Sequence, residues 1–325
     1  MLVVGLQGSP RKKGNTQFLL STFMQAAENL GARTSVIDVT QKEIVPCKEY
    51  TVCEKKGYCP IEDDVKYEIY PLLRQADVVV VASPIFFYNM TAQLKAVVDR
   101  CQTFWARKYK LKLKDPGAGM RRGLLLAVGA TKGKNLFEGL NLTTQYFFDA
   151  IWAEFEDSLT YRGIEGPKDM ANHPSVIEDV AKAAERLLKP FQGRKKVLFA
   201  CRENACRSQM ASALAQFMAG DRLDVSNGGS QPAEKINPDM LKVMHEKGID
   251  MEFRSPQSIE DAIAGNAPEL IITMGCGEEC PLVPGAQIID WDLPDPAGQP
   301  LEFMRDIRDE IEKKVVNLIE EIEKK

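Results

Sequence analysis

The chain has 325 residues, 44% of them hydrophobic, and a net charge of -4. This length exceeds that of one ordinary domain, so we expect two domains, each with its own core. The negative net charge argues against nucleic-acid binding, which needs a basic surface. No apolar run is long enough to span a bilayer, and the first residues lack the basic start of a signal peptide. We therefore expect a cytoplasmic protein with neither a nucleic-acid nor a membrane partner.

The cysteine content suggests thiol chemistry. In a reducing compartment, cysteines are more often catalytic, redox-active or metal-binding than joined in disulfides. The two histidines, His173 and His245, lie far from any cysteine pair, which disfavours a zinc site with histidine ligands. The eight cysteines are Cys47, Cys53, Cys59, Cys101, Cys201, Cys206, Cys276 and Cys280.

The first part of the chain alternates predicted strands with amphipathic helices. This order predicts a doubly wound parallel sheet, flavodoxin-like in strand count, with ligands beyond the carboxyl ends of its strands. The predicted strands are 2–6, 34–39, 77–82, 123–128 and 158–161, and the predicted helices are 16–30, 65–75, 91–104, 136–152 and 175–188.

A segment with proline, glycine and four basic residues, 189–196, interrupts this alternation and predicts a domain boundary. The alternation then resumes, so we predict an α/β protein of two doubly wound parallel-sheet domains, at 1–190 and 195–325. The later strands are predicted at 197–200, 223–226, 270–274 and 287–290, and the later helices at 208–219, at 238–247 and from about 303.

The segment between the strand at 197–200 and the helix at 208–219 predicts an oxyanion-binding loop with Cys201 as nucleophile. A helix N-terminus and consecutive loop N–H groups attract anions and stabilise a thiolate. Arg207 can hold two oxygens of a tetrahedral oxyanion, Ser208 can hydrogen-bond the thiolate, and Asn204 can brace the loop. The alternative, a cysteine that is merely buried, is disfavoured by this placement between strand and helix.

Residues 195–325 resemble the low-molecular-weight tyrosine phosphatases, and among them more closely the thiol-dependent arsenate reductases. A phosphatase of this type needs a cysteine, an arginine and a general-acid aspartate, which the resemblance assigns to Asp295. The phosphatase mechanism does not use Cys276 and Cys280, which follow a predicted strand in this chain. The phosphatases usually have aromatic residues after the aspartate and proline, where this chain has Ala297 and Gly298. The matching segments are 201–211, 237–250, 273–281, 291–298 and 305–311.

The resemblance implies a thiol relay. Cys201 attacks arsenate while Asp295 protonates the leaving oxygen. Cys276 then attacks Cys201 and releases arsenite, and Cys280 attacks Cys276, so that the disulfide becomes Cys276–Cys280. Thioredoxin, another thiol reductant or the chain's own first domain then reduces that disulfide. Cys206, inside the anion loop, is predicted to be structural.

Three loops of the first domain, at 8–16, 83–89 and 129–133, combine small polar, glycine and aromatic residues that suit a phosphate monoester and a flat ring. With 93–100, they resemble the NAD(P)H-dependent FMN reductases, especially the iron–sulfur flavoprotein branch, over most of 1–165. The resemblance implies FMN, with NAD(P)H as the electron donor. The implied contacts are Ser9, Arg11, Gly14, Asn15, Thr16, Pro84, Ile85, Phe86, Phe87, Asn89, Gly129, Ala130, Thr131 and Gly133.

The iron–sulfur branch carries a compact motif of four cysteines, and this chain keeps three of them. They are Cys47, Cys53 and Cys59, and Tyr50 stands where a further ligand is expected. A four-iron cluster normally needs four thiolates, so we do not expect a cluster here. The segment then shapes the flavin pocket or a subunit interface. Family analogy also predicts a homodimer.

Joining the two halves predicts that electrons pass from NAD(P)H through FMN to the Cys276–Cys280 disulfide, directly or through a carrier. Three alternatives stay open at this stage. The second domain could be a tyrosine phosphatase fused to a flavin reductase, or a non-catalytic oxyanion sensor that regulates the flavin domain. The flavin domain could also act on a quinone or other acceptor, with no electron transfer between the domains.

Overall fold

The computed structural model describes residues 1–274 and 283–324. The chain forms two compact units. Unit 1 comprises Met1–Lys112 and Ala118–Gln192, and unit 2 comprises Leu113–Gly117 and Gly193–Lys325. The main division thus falls inside the segment 189–196, whereas the short segment Leu113–Gly117 belongs to unit 2, which the sequence does not predict.

Unit 1 is built on a parallel sheet with the strand order β2-β1-β3-β4-β5. This order is the flavodoxin-like one, and it confirms the predicted doubly wound sheet. The order reverses between β1 and β3, where Gly5 of β1 pairs with Val80 of β3, so a crevice is expected beyond their carboxyl ends. The strands are β1 (Leu2–Gln7), β2 (Arg33–Asp38), β3 (Val78–Pro84), β4 (Arg122–Gly129) and β5 (Glu154–Arg162).

The helices of unit 1 depart from prediction in two places. The helix predicted at 91–104 is broken at Cys101, and the helix predicted at 65–75 begins with a π-helical turn, Val65–Ile69, before the proline near the start of α3. A short helix, α2, was not predicted. The helices are α1 (Asn15–Asn29), α2 (Val52–Lys56), α3 (Tyr70–Gln75), α4 (Ala92–Arg100), α5 (Gln102–Tyr109), α6 (Glu138–Ala150) and α7 (Val176–Leu188), with 3-10 turns at Val39–Gln41 and Lys189–Phe191.

Unit 2 carries a second parallel sheet, with the order β7-β6-β8-β9. The main core packs between one face of this sheet and the helices α8, α9 and α11, while α10 covers the other face. The sheet therefore has helices on both faces, as predicted. The elements are β6 (Lys195–Cys201), α8 (Arg207–Ala219), β7 (Leu223–Gly229), α9 (Pro238–Glu246), α10 (Ile259–Ile263), β8 (Leu270–Thr273), β9 (Gln287–Asp290) and α11 (Leu301–Glu323).

The segment Leu113–Gly117 joins unit 2 through backbone hydrogen bonds. The N–H of Lys114 donates to the carbonyl of Gly248 (2.8 Å), and the N–H of Asp250 donates to the carbonyl of Lys114 (2.9 Å). Leu113 and Asp115 are buried. The turn after α9 is therefore completed by residues more than 120 positions earlier in the chain. Of the helices within 1–274 and 283–324, none is long and apolar enough to cross a membrane.

Candidate active site

Cys201 ends the strand β6, which lies between β7 and β8 in the sheet of unit 2. Its side chain is buried, and α8 begins six residues later at Arg207. The intervening loop therefore lies at the carboxyl edge of the sheet, directly before the positive end of a 13-residue helix. The structure thus places Cys201 where the sequence predicts an anion-binding loop.

The carbonyl groups of the loop after Cys201 accept backbone hydrogen bonds from a later segment of unit 2. Four of these carbonyls, those of residues 201, 202, 203 and 205, accept hydrogen bonds from N–H groups of the segment 230–237, at 2.8–3.3 Å. These bonds fix the path of the loop, and consecutive N–H groups of such a loop can form a concave anion site. The bonded pairs are Ser230 to Cys201, Gln231 to Arg202, Ala233 to Glu203 and Asn237 to Ala205.

Two groups hydrogen-bond the sulfur of Cys201. The Ser208 hydroxyl lies 3.0 Å from Sγ, and the N–H of Asn204 donates to Sγ at 3.3 Å. Asn204 adopts a left-handed backbone conformation, with φ 51°, which turns its N–H back towards the sulfur. A thiolate at Cys201 would thus receive two hydrogen bonds and the field of the α8 N-terminus, the setting of a nucleophilic cysteine.

The side chain of Asn204 is fully buried, and its amide bonds several parts of the loop and its surroundings. Its Nδ2 donates to Ser208 Oγ (2.8 Å) and to Asn227 Oδ1 (2.9 Å). Its Oδ1 accepts from Gln209 Nε2 and from the N–H of Gln257, both at 3.0 Å. A buried amide whose groups are all satisfied fixes one conformation of the loop around it.

Sequence reasoning missed Asn227, which reaches the loop from β7. Besides accepting from Asn204, its Nδ2 donates to Ser212 Oγ on α8 (3.0 Å). A signal was present, because 226–230 reads Ser-Asn-Gly-Gly-Ser at the carboxyl end of a predicted strand.

Arg207 and Asp295 lie together at this site. Arg207 is buried, and its Nη1 donates to the carbonyl of Leu293 at 2.7 Å. Its Nη2 lies 3.5 Å from Asp295 Oδ1, and the Asp295 side chain is 60% exposed. An accessible carboxyl group next to the arginine of an anion loop can deliver a proton to a bound oxyanion.

The other cysteines of unit 2 differ in what the structure describes. Burial raises the pKa of the Cys206 thiol, and its Sγ lies 3.2 Å from Met304 Sδ in the core, so Cys206 stays protonated and packs as an apolar residue. Cys276 and Cys280 lie outside the described residues. Met274, the last described residue before that segment, donates its N–H to the carbonyl of Ala200 (2.9 Å), the residue that precedes Cys201.

In unit 1, nine of the fourteen predicted flavin contacts line one cleft of about 220 Å³ at the carboxyl ends of β1, β3 and β4. Four further residues complete its wall and were not predicted: Pro10, Val128, Ile164 and Glu165. The predicted residues that line the cleft are Ser9, Arg11, Gly14, Asn15, Thr16, Pro84, Ile85, Phe86 and Ala130.

One end of this cleft is the N-terminus of α1. The N-cap is Gly14, whose backbone is extended, and neither a capping side chain nor an acidic residue occupies the first turn. The first N–H groups are therefore open to an anion. The Asn15 side chain is already engaged, because it donates to the carbonyl of Gly166 (2.9 Å) and accepts from the N–H of Met170 (3.1 Å). Asn15 thus positions the wall of the cleft.

The remaining predicted contacts, Phe87, Asn89, Gly129, Thr131 and Gly133, do not line the cleft. Phe86 and Asn89 exchange backbone hydrogen bonds (2.8 and 3.0 Å), which presents Phe87 fully to solvent. Asn89 Nδ2 donates to Thr143 Oγ1 (3.0 Å), so this side chain fixes the turn. A Cβ on Gly129 would lie 2.6 Å from Leu136 Cδ2, so a larger residue there would require the Leu136 side chain to move.

Comparison with known proteins divides the chain in the same way as the fold. Residues 196–325 match the low molecular weight phosphotyrosine protein phosphatase family, and residues 1–135 match the NADPH-dependent FMN reductase family. A glutaredoxin arsenate reductase of Synechocystis sp. is 36% identical over 130 residues, which cover 39% of this chain and 98% of that protein. The chain belongs to the arsenate reductase family.

Other relatives of this arsenate reductase family member agree with the predicted fusion. A putative arsenate reductase of Halobacterium salinarum is 34% identical over 38% of this chain and 89% of its own length. An iron–sulfur flavoprotein of Methanosarcina thermophila is 33% identical over 41% of this chain. The chain spans 65% of that flavoprotein, which is less than two-thirds of its length. The predicted fusion and the assignment as an oxidoreductase are confirmed at the level of family.

Proposed function

We propose that the chain reduces arsenate to arsenite through a cysteine relay in unit 2, with electrons supplied by NAD(P)H through FMN in unit 1. The observation that carries the proposal is the Cys201 loop, four of whose carbonyls accept from N–H groups of 230–237 and whose sulfur accepts from Asn204 N–H and faces Ser208 Oγ. The names of the relatives of unit 2, arsenate reductases, support arsenate over a phosphate ester as the substrate.

The first step joins sulfur to arsenic. The loop N–H groups and Arg207 hold the arsenate oxygens, and the Cys201 thiolate attacks arsenic. One As–O bond breaks, and Asp295, next to Arg207, donates the proton with which that oxygen leaves as water. No electrons have yet moved between oxidation states, and the product is a Cys201 thioester of arsenate.

The second step transfers two electrons. The Cys276 thiolate attacks Cys201 Sγ, a sulfur–sulfur bond forms, and the sulfur–arsenic bond breaks with its electron pair on arsenic. Arsenic is thereby reduced from the pentavalent to the trivalent state and leaves as arsenite. Cys280 then attacks Cys276, which frees Cys201 as a thiolate and leaves a Cys276–Cys280 disulfide.

The final step reduces that disulfide. The name of the cyanobacterial relative, a glutaredoxin arsenate reductase, supports a glutaredoxin, thioredoxin or similar thiol as one reductant. The covalent fusion to unit 1 supports a second route, because tethering raises the effective concentration of an electron donor.

The cleft of unit 1 fits the phosphate end of FMN. The open N-terminus of α1, the buried Ser9 and Thr16, and Arg11 suit a phosphate monoester. A volume of about 220 Å³ is below the roughly 300–1,000 Å³ of most small-molecule sites, so the ring would lie partly outside, against Phe86. Bound FMN supplies two-electron chemistry between NAD(P)H and a disulfide.

The test is an anaerobic arsenate assay with the full chain, NAD(P)H and FMN, with and without glutaredoxin or thioredoxin. The full proposal predicts arsenite in both arms. Arsenite only in the presence of the added thiol would overturn the flavin route and keep the relay. Absence of arsenite in both arms would overturn the reductase assignment.

A second assay separates the relay from ester hydrolysis. Cys276→Ser should abolish multiple turnovers of arsenate, because no second thiol can release Cys201. The same variant should keep any hydrolysis of para-nitrophenyl phosphate, which needs only Cys201, Arg207 and Asp295. Unchanged arsenate turnover in Cys276→Ser would contradict the relay.

A further inference from the structure

A segment of unit 1, residues 45–61 (here the cysteine loop), is held at both ends by a buried ion pair. Arg100 of α4 donates through Nη1 to the carbonyl of Val45 (2.8 Å) and through Nη2 to the carbonyl of Ile61 (3.4 Å). Arg100 also pairs with Asp63, and both side chains are fully buried. Asp63 Oδ2 in turn accepts from the N–H of Val45 (3.0 Å).

The middle of the cysteine loop is anchored as well. The carbonyl of Gly57 accepts from Thr103 Oγ1 (3.2 Å) and from Arg107 Nη1 (2.9 Å), and both donors are buried on α5. Gly57 has φ 74°, and a Cβ there would lie 2.3 Å from Arg107 Nη1, so only glycine fits. Burying charged side chains costs desolvation energy and often adds little stability. We therefore interpret the bonds from Arg100 and Arg107 as interactions that fix one conformation of the cysteine loop.

The cysteine loop, together with Asp99 and Gln102, lines an open pocket of about 430 Å³ whose walls include Cys47, Cys53, Cys59 and Tyr50. All three cysteines are free thiols. Burial raises the pKa of the Cys53 thiol, and the nearby Cys59 and Cys47 raise it further. Three neighbouring thiols, of which at least Cys53 stays protonated at neutral pH, therefore line one pocket in a region that the arsenate relay does not use.

We propose that Cys47, Cys53 and Cys59 bind trivalent arsenic, the product of the reaction proposed for unit 2. Arsenite is As(OH)₃, and it condenses with three thiols: three As–O bonds break, three As–S bonds form, and each thiol proton leaves with a hydroxide as water. No oxidation state changes, and both the ligand and the tris-thiolate complex are uncharged. The number of thiols equals the number of bonds that trivalent arsenic forms.

Other occupants fit this set less well. A four-iron cluster needs four thiolates, and Tyr50 stands at the fourth position. A structural zinc ion takes four protein ligands, and this set offers three thiols. Among residues 1–274 and 283–324, no three acidic, histidine or cysteine side chains are already placed to hold a metal ion, so the three thiols have to move together to bind any single atom, arsenic included. Arsenite would draw the thiols together, and Cys47 lies outside any helix or strand, where the backbone can adjust.

The assignment rests on the proposed function only for the origin of the arsenite. The test therefore supplies sodium arsenite to the full-length, reduced chain in which Cys201, Cys276 and Cys280 are all replaced by serine. Bound arsenic is counted after gel filtration, and the sulfur-to-arsenic charge-transfer absorbance is followed during titration. We expect one arsenic per chain. Each of Cys47→Ser, Cys53→Ser and Cys59→Ser should weaken binding by about a hundredfold, because one chelating arm is lost.

Tyr50→Phe is the matched control, since it changes the fourth position and leaves three thiols, and it should bind as the parent does. Thermal unfolding of each variant separates loss of binding from loss of fold. Arsenic that does not bind, or that binds regardless of the three substitutions, overturns the proposal. Iron and acid-labile sulfide that copurify anaerobically with the wild-type chain, and disappear in the same variants, also overturn it. None of these outcomes depends on whether arsenate is reduced.

Discussion

Ser208 provides the most direct test of how unit 2 activates its nucleophile. Its hydroxyl lies 3.0 Å from Cys201 Sγ and also accepts from Asn204. Ser208→Ala removes a hydrogen bond to a charged group, worth about 1.5–3 kcal/mol. We expect arsenate kcat/KM to fall roughly ten- to a hundredfold. Iodoacetamide should alkylate Cys201 more slowly, because the thiolate has lost a hydrogen-bond donor.

Ser212→Ala is the matched control for Ser208→Ala. Ser212 lies one turn further along α8, where its hydroxyl donates to the Gln209 carbonyl and accepts from Asn227 and Arg254 but does not contact the sulfur. Its alkylation rate should stay close to that of the wild-type chain. Equal effects of the two substitutions would mean that general weakening of α8, rather than the contact with Sγ, governs the reactivity of Cys201.

Gly229 is required by the close approach of β7 to the anion loop. A Cβ there would lie 2.6 Å from the carbonyl oxygen of Arg202 and 2.9 Å from the nitrogen of Asn204, both backbone atoms. Gly229→Ala should displace the loop N–H groups and lower kcat/KM by about a hundredfold, the usual result of a small misplacement at a reacting site. Calorimetric titration with phosphate should show the same loss of oxyanion binding.

Ser230→Ala serves as the control for Gly229→Ala, because the neighbouring residue bonds the loop through its backbone N–H. It should bind phosphate as the wild-type chain does. Unchanged phosphate affinity in Gly229→Ala, with circular dichroism showing a folded protein, would contradict the role given to this glycine.

At the scale of elements, ion pairs connect α9 to α11 in unit 2. Arg305 and Arg308 of α11 both reach Glu246 at the end of α9. Hydrogen bonds from Arg305, with a smaller contribution from Arg308, hold the pKa of Glu246 below its ordinary value of 4.5. A carboxyl whose pKa is lowered by folding contributes stability above its unfolded pKa and loses it as pH falls through the folded pKa.

Glu246→Gln should therefore lower the urea midpoint of unfolding at neutral pH, and the difference from wild type should vanish in acid, below the ordinary pKa of 4.5. Glu302→Gln is the control, because Glu302 pairs with Arg305 within α11 only. Its effect should be smaller at every pH. A difference for Glu246→Gln that persists at low pH would show that packing, and not the ion pair, is responsible.

The buried pair Arg100–Asp63 ties α4 to both ends of the cysteine loop. Arg100→Met leaves Asp63 buried without its partner, so unit 1 should lose about 3–5 kcal/mol of unfolding free energy in urea. On the same helix, Lys95 and Asp99 form a surface pair with both side chains more than 40% exposed. Lys95→Met should cost only about 0.3–0.5 kcal/mol. Equal losses would contradict the assigned role.

At the scale of the whole molecule, local pattern was enough for both sheets. Buried strands such as β3, with four successive valines, and the placement of Cys201 between a strand and a helix are visible in short windows of sequence. The proposed anion loop could be recognised for the same reason, because Cys201, Arg207 and Ser208 lie within eight residues of sequence.

The other features of the two sites depend on contacts between residues that are far apart in the sequence, so no short stretch of sequence reveals them. Asn227 reaches Asn204 from another strand, and the carbonyls of the anion loop are bonded by a segment about 30 positions later. The place of Asn15 in its loop predicts a phosphate contact, and it does line the cleft, but the bonds of its amide to residues 166 and 170 could not be predicted. The break at Cys101 likewise accompanies bonds from α5 to Gly57.

The five residues Leu113–Gly117 also have a consequence for genetics. Because they complete the turn at Gly248 and Asp250, the coding sequence of unit 2 is discontinuous, split by the codons for Ala118–Gln192. A gene fragment that starts at Gly193 would encode a subunit with two backbone hydrogen bonds and the buried Leu113 missing. Deletion alleles of the first half should therefore impair the second in arsenic-tolerance complementation, even where electrons are supplied from elsewhere.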